Sequence, residues 1–230
     1  MPKKIKVTVK KRKINTKKVL LFLLIIYIIF YIVIEIIDYP IKNIYIIGNN
    51  TISDYEIITS SGLSSYPSLI KTSTKKVEKK LLTNNYIKNV SIKKKFKSKL
   101  IIEIEERRLL CLTTNNKIIT NDGVYLDNIY TIKDLPTLIN EIPSDIFEKF
   151  YKNFDKVDDN ILNKISQIEY ATTQVDKERF LLYMNDGNYV YITLDKITKL
   201  NKYDEIYKEL EGKKGILNLD SGNSFEIKEA

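Results

Sequence analysis

The sequence contains no histidine, no tryptophan and a single cysteine, Cys111, in 230 residues. Without histidine, neither a Ser-His-Asp nor a Cys-His relay can be assembled, and no imidazole is available to a metal. One cysteine permits no intrachain disulfide and no cysteine-rich zinc site. Alanine is absent before Ala171 and glycine before Gly48. Acidic residues are missing from residues 1–18, which carry nine bases: Lys3, Lys4, Lys6, Lys10, Lys11, Arg12, Lys13, Lys17 and Lys18. The other 29 Lys and Arg balance the 29 Asp and Glu, so the net charge of +9 belongs to the tail. The body of the chain therefore lacks the basic excess of a nucleic-acid-binding domain. No P-loop or dinucleotide fingerprint occurs. Asp155, Asp158 and Asp159 lack the glycine and terminal glutamate of an EF-hand loop. These gaps lead us to expect no catalytic residues, cofactor, metal, nucleic acid or small-molecule substrate.

One long apolar run is present. Val19 to Ile34, VLLFLLIIYIIFYIVI, is uncharged. As a helix it spans about 24 Å, and about 28 Å if extended to Ile37, close to the ~30 Å hydrocarbon core of a bilayer. Glu35 then falls near the far interface. A helix of a small soluble domain is not apolar all round over this length. A secretory signal has a shorter apolar region and a small-residue cleavage site, and such residues are missing here. Residues 19–37 are thus expected to form an uncleaved transmembrane helix in the lipid bilayer. The basic tail, residues 1–18, should be cytoplasmic, with the chain from about Tyr39 onward outside.

Tyr39-Pro40 ends the apolar helix. Ile41–Ile47 reads as a strand closed by Gly48-Asn49-Asn50, and Ser53-Asp54-Tyr55-Glu56 is a capping box opening a helix that Gly62 stops. A second helix is expected over Ser73–Asn84, with Val77, Leu81 and Leu82 on one face. Ile87, Val90, Ile92 and Phe96 mark a strand with a basic exposed side, and Leu100–Glu106 alternates as another, with Ile102 and Ile104 inward. The order is β-α-α-β-β over residues 41–108.

The remainder is richer in strands. These are expected at Leu110–Thr113, Lys117–Thr120, Val124–Leu126, Ile168–Thr172, Phe180–Met184, Tyr189–Thr193 and Ile216–Leu219. Asn185-Asp186-Gly187 is a hairpin signal. Helices are expected from Ser144, over Asp158–Ser166, and over Asp195–Leu210, the last with Ile197, Leu200, Ile206 and Leu210 facing inward. The fold class is α+β.

Two S-x-x-K matches, Ser68–Lys71 and Ser73–Lys76, lack the companion S-D-N and K-T-G motifs of penicillin-binding enzymes. Glu103 and Glu105 share one face of a strand and are expected to be solvated opposite lysines rather than to act as a glycosidase pair. The run Lys93-Lys94-Lys95-Phe96-Lys97 reads by default as a solvated basic face, with contact to anionic lipid or wall polymer as the alternative.

Taken in order, these features resemble the FtsQ/DivIB family of bacterial division proteins. The resemblance rests on the basic tail, the single anchor and the I-x-x-I-x-I-x-G-N opening of a POTRA-type module, Ile41, Ile44, Ile46, Gly48 and Asn49. It continues through Glu105 to Arg107, Asp122 to Tyr125, Lys199-Leu200 and the segment Gly215 to Asp220. It implies a POTRA-type domain over 39–108 and an FtsQ/DivIB β domain over 109–228. It also implies a non-enzymatic scaffold at the division septum that binds FtsL-like and FtsB/DivIC-like membrane proteins and couples assembly to septal peptidoglycan synthesis. The competing class is an extracytoplasmic cell-wall enzyme, a hydrolase or transpeptidase, which needs a nucleophile or metal cluster. For a scaffold, strand addition at an exposed sheet edge is the natural binding mode. Ile216–Leu219, last in the expected order, is the candidate edge. Gly215, Ile216, Leu217, Leu219 and Asp220 would form the partner-binding strand, with Tyr203 and Tyr207 as aromatic anchors.

Overall fold

The computed structural model describes residues 15–95 and 98–227. The expectations placed on residues 1–14, Phe96 and Lys97 fall outside the described residues. The fold is α+β, as expected. Within it the chain forms two compact units: one of residues up to 47, 54–81 and 91–103, the other of 48–53, 82–90 and 104 onward.

The first unit begins with helix α1, Thr16–Asp38, whose first turn is capped by the Asn15 side chain accepting from the Lys18 N–H at 3.4 Å. Its apolar side chains are exposed all round. At 23 residues it is long and apolar enough to cross a membrane, about 34 Å from end to end. Strand β1 (Asn43–Ile47), helices α2 (Asp54–Ser61) and α3 (Thr74–Leu81), and strands β2 (Ile87–Lys95) and β3 (Lys99–Glu106) follow in the expected order. The strands form a three-stranded sheet, β1-β3-β2, with β1 parallel to β3 and Ile46 opposite Ile102. Period-two alternation in β3 buries Leu100, Ile102 and Ile104. On the other face Glu103 meets Lys93 at 2.7 Å and Glu105 meets Lys88 at 2.9 Å. All four side chains are half-exposed, so the pairs contribute little beyond solubility. The two carboxylates are solvated partners of lysine, as the sequence suggested.

In the second unit a nine-stranded sheet carries the core. Its strands are β4 (Leu109–Thr113), β5 (Lys117–Thr120), β6 (Tyr125–Asp127), β7 (Thr137–Leu138), β8 (Ile165–Tyr170), β9 (Arg179–Met184), β10 (Tyr189–Thr193), β11 (Gly215–Asn218) and β12 (Ser224–Ile227). Their order is β12-β11-β10-β9-β8-β7-β4-β5-β6. One face is covered by α4 (Ser144–Phe154), the short α5 (Asp159–Leu162), a 3-10 helix at Leu194–Lys202 and α6 (Tyr203–Glu209). Phe150 and Phe154 of α4 pack on Phe180 of β9, with ring centroids 5.4 and 6.0 Å apart.

Three expectations need correction. The helix expected over Asp195–Leu210 is a 3-10 segment followed by a short α-helix. Leu194, Ile197, Leu200 and Tyr203 are all buried, a spacing of three that fits a 3-10 turn better than an α-turn. The helix expected over Asp158–Ser166 stops at Leu162, because Ile165 already pairs opposite Met184 in the sheet. Two strands, β7 and β12, lie outside the expected set.

Candidate functional site

The sheet end around β11 contradicts the expectation of an open edge there. β11 is enclosed on both sides. It runs parallel to β10, with Tyr189 opposite Ile216 and Val190 opposite Leu217, and antiparallel to β12, with Leu217 opposite Phe225. The physical reason is the turn Asp220–Asn223, which reverses the chain and returns Ser224–Ile227 to the sheet. The Asp220 side chain, 10% exposed, fixes this turn: Arg179 donates to it from Nε at 2.6 Å, and the Ser221 N–H donates at 2.7 Å. Burial alone would raise the Asp220 carboxyl, but the hydrogen bonds from Arg179 and Ser221 hold it below the usual carboxylate range. Lys196 donates to the Asp220 carbonyl.

The remaining expected partner residues divide between core and surface. Leu217, Leu219 and Tyr203 are buried in the main core, and Gly215 is also buried. Ile216 is half-buried on the opposite face. Tyr203 therefore acts as an internal brace rather than a free anchor. Its hydroxyl donates to Asp186 at 2.8 Å and accepts from Asn188 at 3.3 Å, while Asn188 Oδ1 accepts the Gly215 N–H at 2.9 Å. Burial, then the bond to Asp186, pushes the Tyr203 hydroxyl well above the ordinary tyrosine range. This network ties the Asn185-Asp186-Gly187 turn to the start of β11. Tyr207 is half-buried, stacked on Tyr203 at 6.2 Å.

The open edge is β12. Among the described residues it has β11 on one side and no strand on the other. Phe225 packs against the core, whereas Ile227 is 58% exposed and Glu226 is exposed. A groove of about 520 Å³ lies beside it, on the face away from the helices, lined by Tyr183, Tyr189, Tyr191, Ile216, Glu226 and Ile227. Two of its tyrosines are held by neighbouring side chains. Arg179 stacks on the Tyr191 ring at 3.6 Å, and Tyr183 donates to Glu169 at 2.6 Å, a bond that pushes its hydroxyl up to about 12. Sequence reasoning misses both the edge strand and the tyrosine face. The signal for the first is Ser221-Gly222-Asn223 before a short alternating stretch; for the second, tyrosines alternating with Val190 and Ile192.

The module motif has a structural role. Ile46 is half-buried in β1. Gly48 has φ +89°, and a Cβ there would stand 2.1 Å from the Ile104 carbonyl oxygen. Asn49 donates from its side chain to the Ile52 carbonyl at 2.9 Å. The loop that follows is held by a residue outside the expected set: Glu106 accepts the N–H groups of Asn50, Thr51 and Ile52 at 2.9, 2.9 and 3.0 Å. Arg107 donates to the Asn85 carbonyl at 2.9 Å and pairs with Asp122. Arg108 reaches Asp155 at 3.1 Å and Asp159 from Nε at 3.0 Å, which gives those aspartates an ion-pairing role. The first S-x-x-K pair is likewise engaged, Ser68 donating to the Ile37 carbonyl and Lys71 pairing with Asp38. Cys111 is fully buried, and its thiol is pushed far up by desolvation.

Two family models match the chain. One, described as POTRA domain, FtsQ-type, covers residues 39–107; the other, described as cell division protein FtsQ/DivIB, C-terminal, covers residues 111–222. Cell division protein DivIB of Bacillus anthracis is 31% identical over 233 residues, spanning 93% of this chain and 83% of the relative. DivIB of Bacillus subtilis strain 168 is 29% identical over 227 residues, spanning 94% and 86%. A solved structure of the major extracytoplasmic domain of the trans isomer of DivIB from Geobacillus stearothermophilus aligns with TM-score 0.39 and 23% identity. It covers 46% of this chain and 96% of that one.

Proposed function

The chain belongs to the FtsQ/DivIB family of bacterial cell division proteins, and from that membership we propose a membrane-anchored, non-enzymatic scaffold that receives a partner strand on β12. In this reading α1 crosses the cell membrane once. The nine bases of residues 1–18 keep the N-terminus cytoplasmic, and the rest of the chain faces outward at the septum. A POTRA-type domain at 39–108 and a β domain at 109–228 form the outer part. The partners are small membrane division proteins of the FtsL and FtsB/DivIC kind, and their capture links assembly to septal peptidoglycan synthesis.

The observation that carries this reading is the open edge of β12 beside a tyrosine-lined groove. An unpaired strand edge offers backbone donors and acceptors to an extended segment. The neighbouring tyrosines and Ile216 supply side-chain contacts of the type enriched at interface cores.

Two proline substitutions test it. Adjacent residues of a strand point their N–H groups to opposite sides, so Glu226→Pro removes a donor aimed at β11 and Ile227→Pro, at an exposed side chain, one aimed outward. The outward one is tolerated by the fold. The full-length protein carrying it should melt like wild type and fail to capture the outer segment of the partner. If both variants keep capture, the edge is not the binding surface.

A further inference from the structure

The foot of α1 is stitched to the loop Tyr66–Thr72. Ser68 donates to the Ile37 carbonyl, the Leu69 N–H donates to the Tyr39 carbonyl at 3.2 Å, the Ile41 N–H donates to the Pro67 carbonyl at 3.0 Å, and Lys71 pairs with Asp38. The loop is therefore held at the level where the apolar helix ends, not left on a free tether. Yet it turns apolar side chains outward: Ile70 is 53% and Tyr66 47% exposed. Together with the last turns of α1 it walls a groove of about 810 Å³, whose lining includes Ile32, Ile36, Tyr39, Lys42, Leu69 and Ile70. A soluble surface gains nothing from apolar groups placed this way.

The charge at this foot is asymmetric. Glu35 lines the groove on the helix side, and Asp38 is engaged by Lys71. Lys42 also lines the groove, its Nζ 4.8 Å from the Tyr39 ring centroid, and Lys94 donates to the Ile70 carbonyl at 3.2 Å. Apolar side chains thus lie beside the end of the apolar helix, with two lysines next to them. Tyrosine and lysine are side chains that settle at a membrane interface, the ring and stem in the apolar layer and the polar end in water.

We propose that this foot is a phospholipid-binding surface. Leu69 and Ile70, with Ile32 and Ile36, receive the upper acyl chain of an outer-leaflet lipid, and Lys42 and Lys94 meet the phosphate of an anionic headgroup. The consequence is mechanical. The loop seats the outer module on the bilayer and fixes the direction in which the chain leaves the membrane. The proposal rests on the reading that α1 crosses the bilayer.

The chain contains no tryptophan, so a single introduced one reports its own depth. Full-length Ile70→Trp and, as a reference inside the helix toward the same end, Ile34→Trp are reconstituted into vesicles whose acyl chains are brominated near the headgroup. In phosphatidylglycerol vesicles the loop variant, Ile70→Trp, should be quenched at least about twofold, as expected for a side chain ~5–10 Å into the headgroup and acyl boundary. Quenching should fall in phosphatidylcholine, and Lys42→Glu with Lys94→Glu should lower the phosphatidylglycerol value to that level. If the helix variant is quenched and the loop variant is not, the proposal is overturned while the membrane reading stands. Quenching of the loop variant that is equal in both lipids and blind to the charge reversal overturns the headgroup contact. An unquenched helix variant removes the membrane reading and the proposal with it.

Discussion

Gly215 of β11 and Glu226 of β12 cross so closely that a Cβ on Gly215 would stand 2.0 Å from the Glu226 carbonyl oxygen. The Phe225 ring would lie 2.9 Å away. Glycine at 215 is what lets β12 seat fully against β11, and the seated β12 is what presents the free edge.

Gly215→Ala should therefore unseat β12. The new methyl meets backbone rather than the end of a flexible side chain, so the strands must separate. Overpacking of this kind costs about 1–3 kcal/mol. Thermal unfolding should show the loss, and partner capture should weaken with it. An unchanged melting temperature would mean that β12 is not held at this register.

The turn leading into β12 should be acid-sensitive. The Asp220 carboxyl is held below its ordinary value in the folded protein. A group depressed on folding contributes stability above its unfolded pKa, ~3.9, and loses that contribution as pH falls through the folded value. Asp220→Asn should thus melt below wild type at neutral pH, and the gap should close below about pH 4. A gap that stays constant to about pH 2 would show that the Arg179–Asp220 pair does not carry the difference.

Two adjacent glutamates should behave oppositely. Glu106→Ala frees three backbone N–H groups of residues 50–52 and should cost about 1–3 kcal/mol. Glu105→Ala removes a half-exposed partner of Lys88 and should stay within about 0.5 kcal/mol. Chemical denaturation of both variants checks the contrast. Equal losses would contradict the anchoring role of Glu106.

Much of this fold is legible in the residues because local chemistry and burial agree. Leu100, Ile102 and Ile104 alternate and are buried in β3; Gly62 follows α2 with φ +76°; Asn185-Asp186-Gly187 turns one strand into the next. The features that sequence reasoning misses depend on contacts distant in sequence. β7 is two residues long, and only its place between β4 and β8 makes it a strand. β12 is four residues after a glycine turn, too short to show a period, so the strand before it reads as the edge. Glu106 gives no signal of its own, since its partners lie more than fifty residues earlier. Residue patterns alone thus point to the end of the sheet that β12 closes, but take β11, one strand in, for its edge.

The central claim is that a partner strand adds to the outer edge of β12, and amide hydrogen exchange tests it directly. Full-length protein in membranes is compared with and without a saturating partner segment. The account predicts that the outward amides of residues 224–227, fast in the free protein, become strongly protected in the complex, while those of β10 and β11 change little. Partner binding shown independently, with exchange of residues 224–227 unaltered, would contradict it.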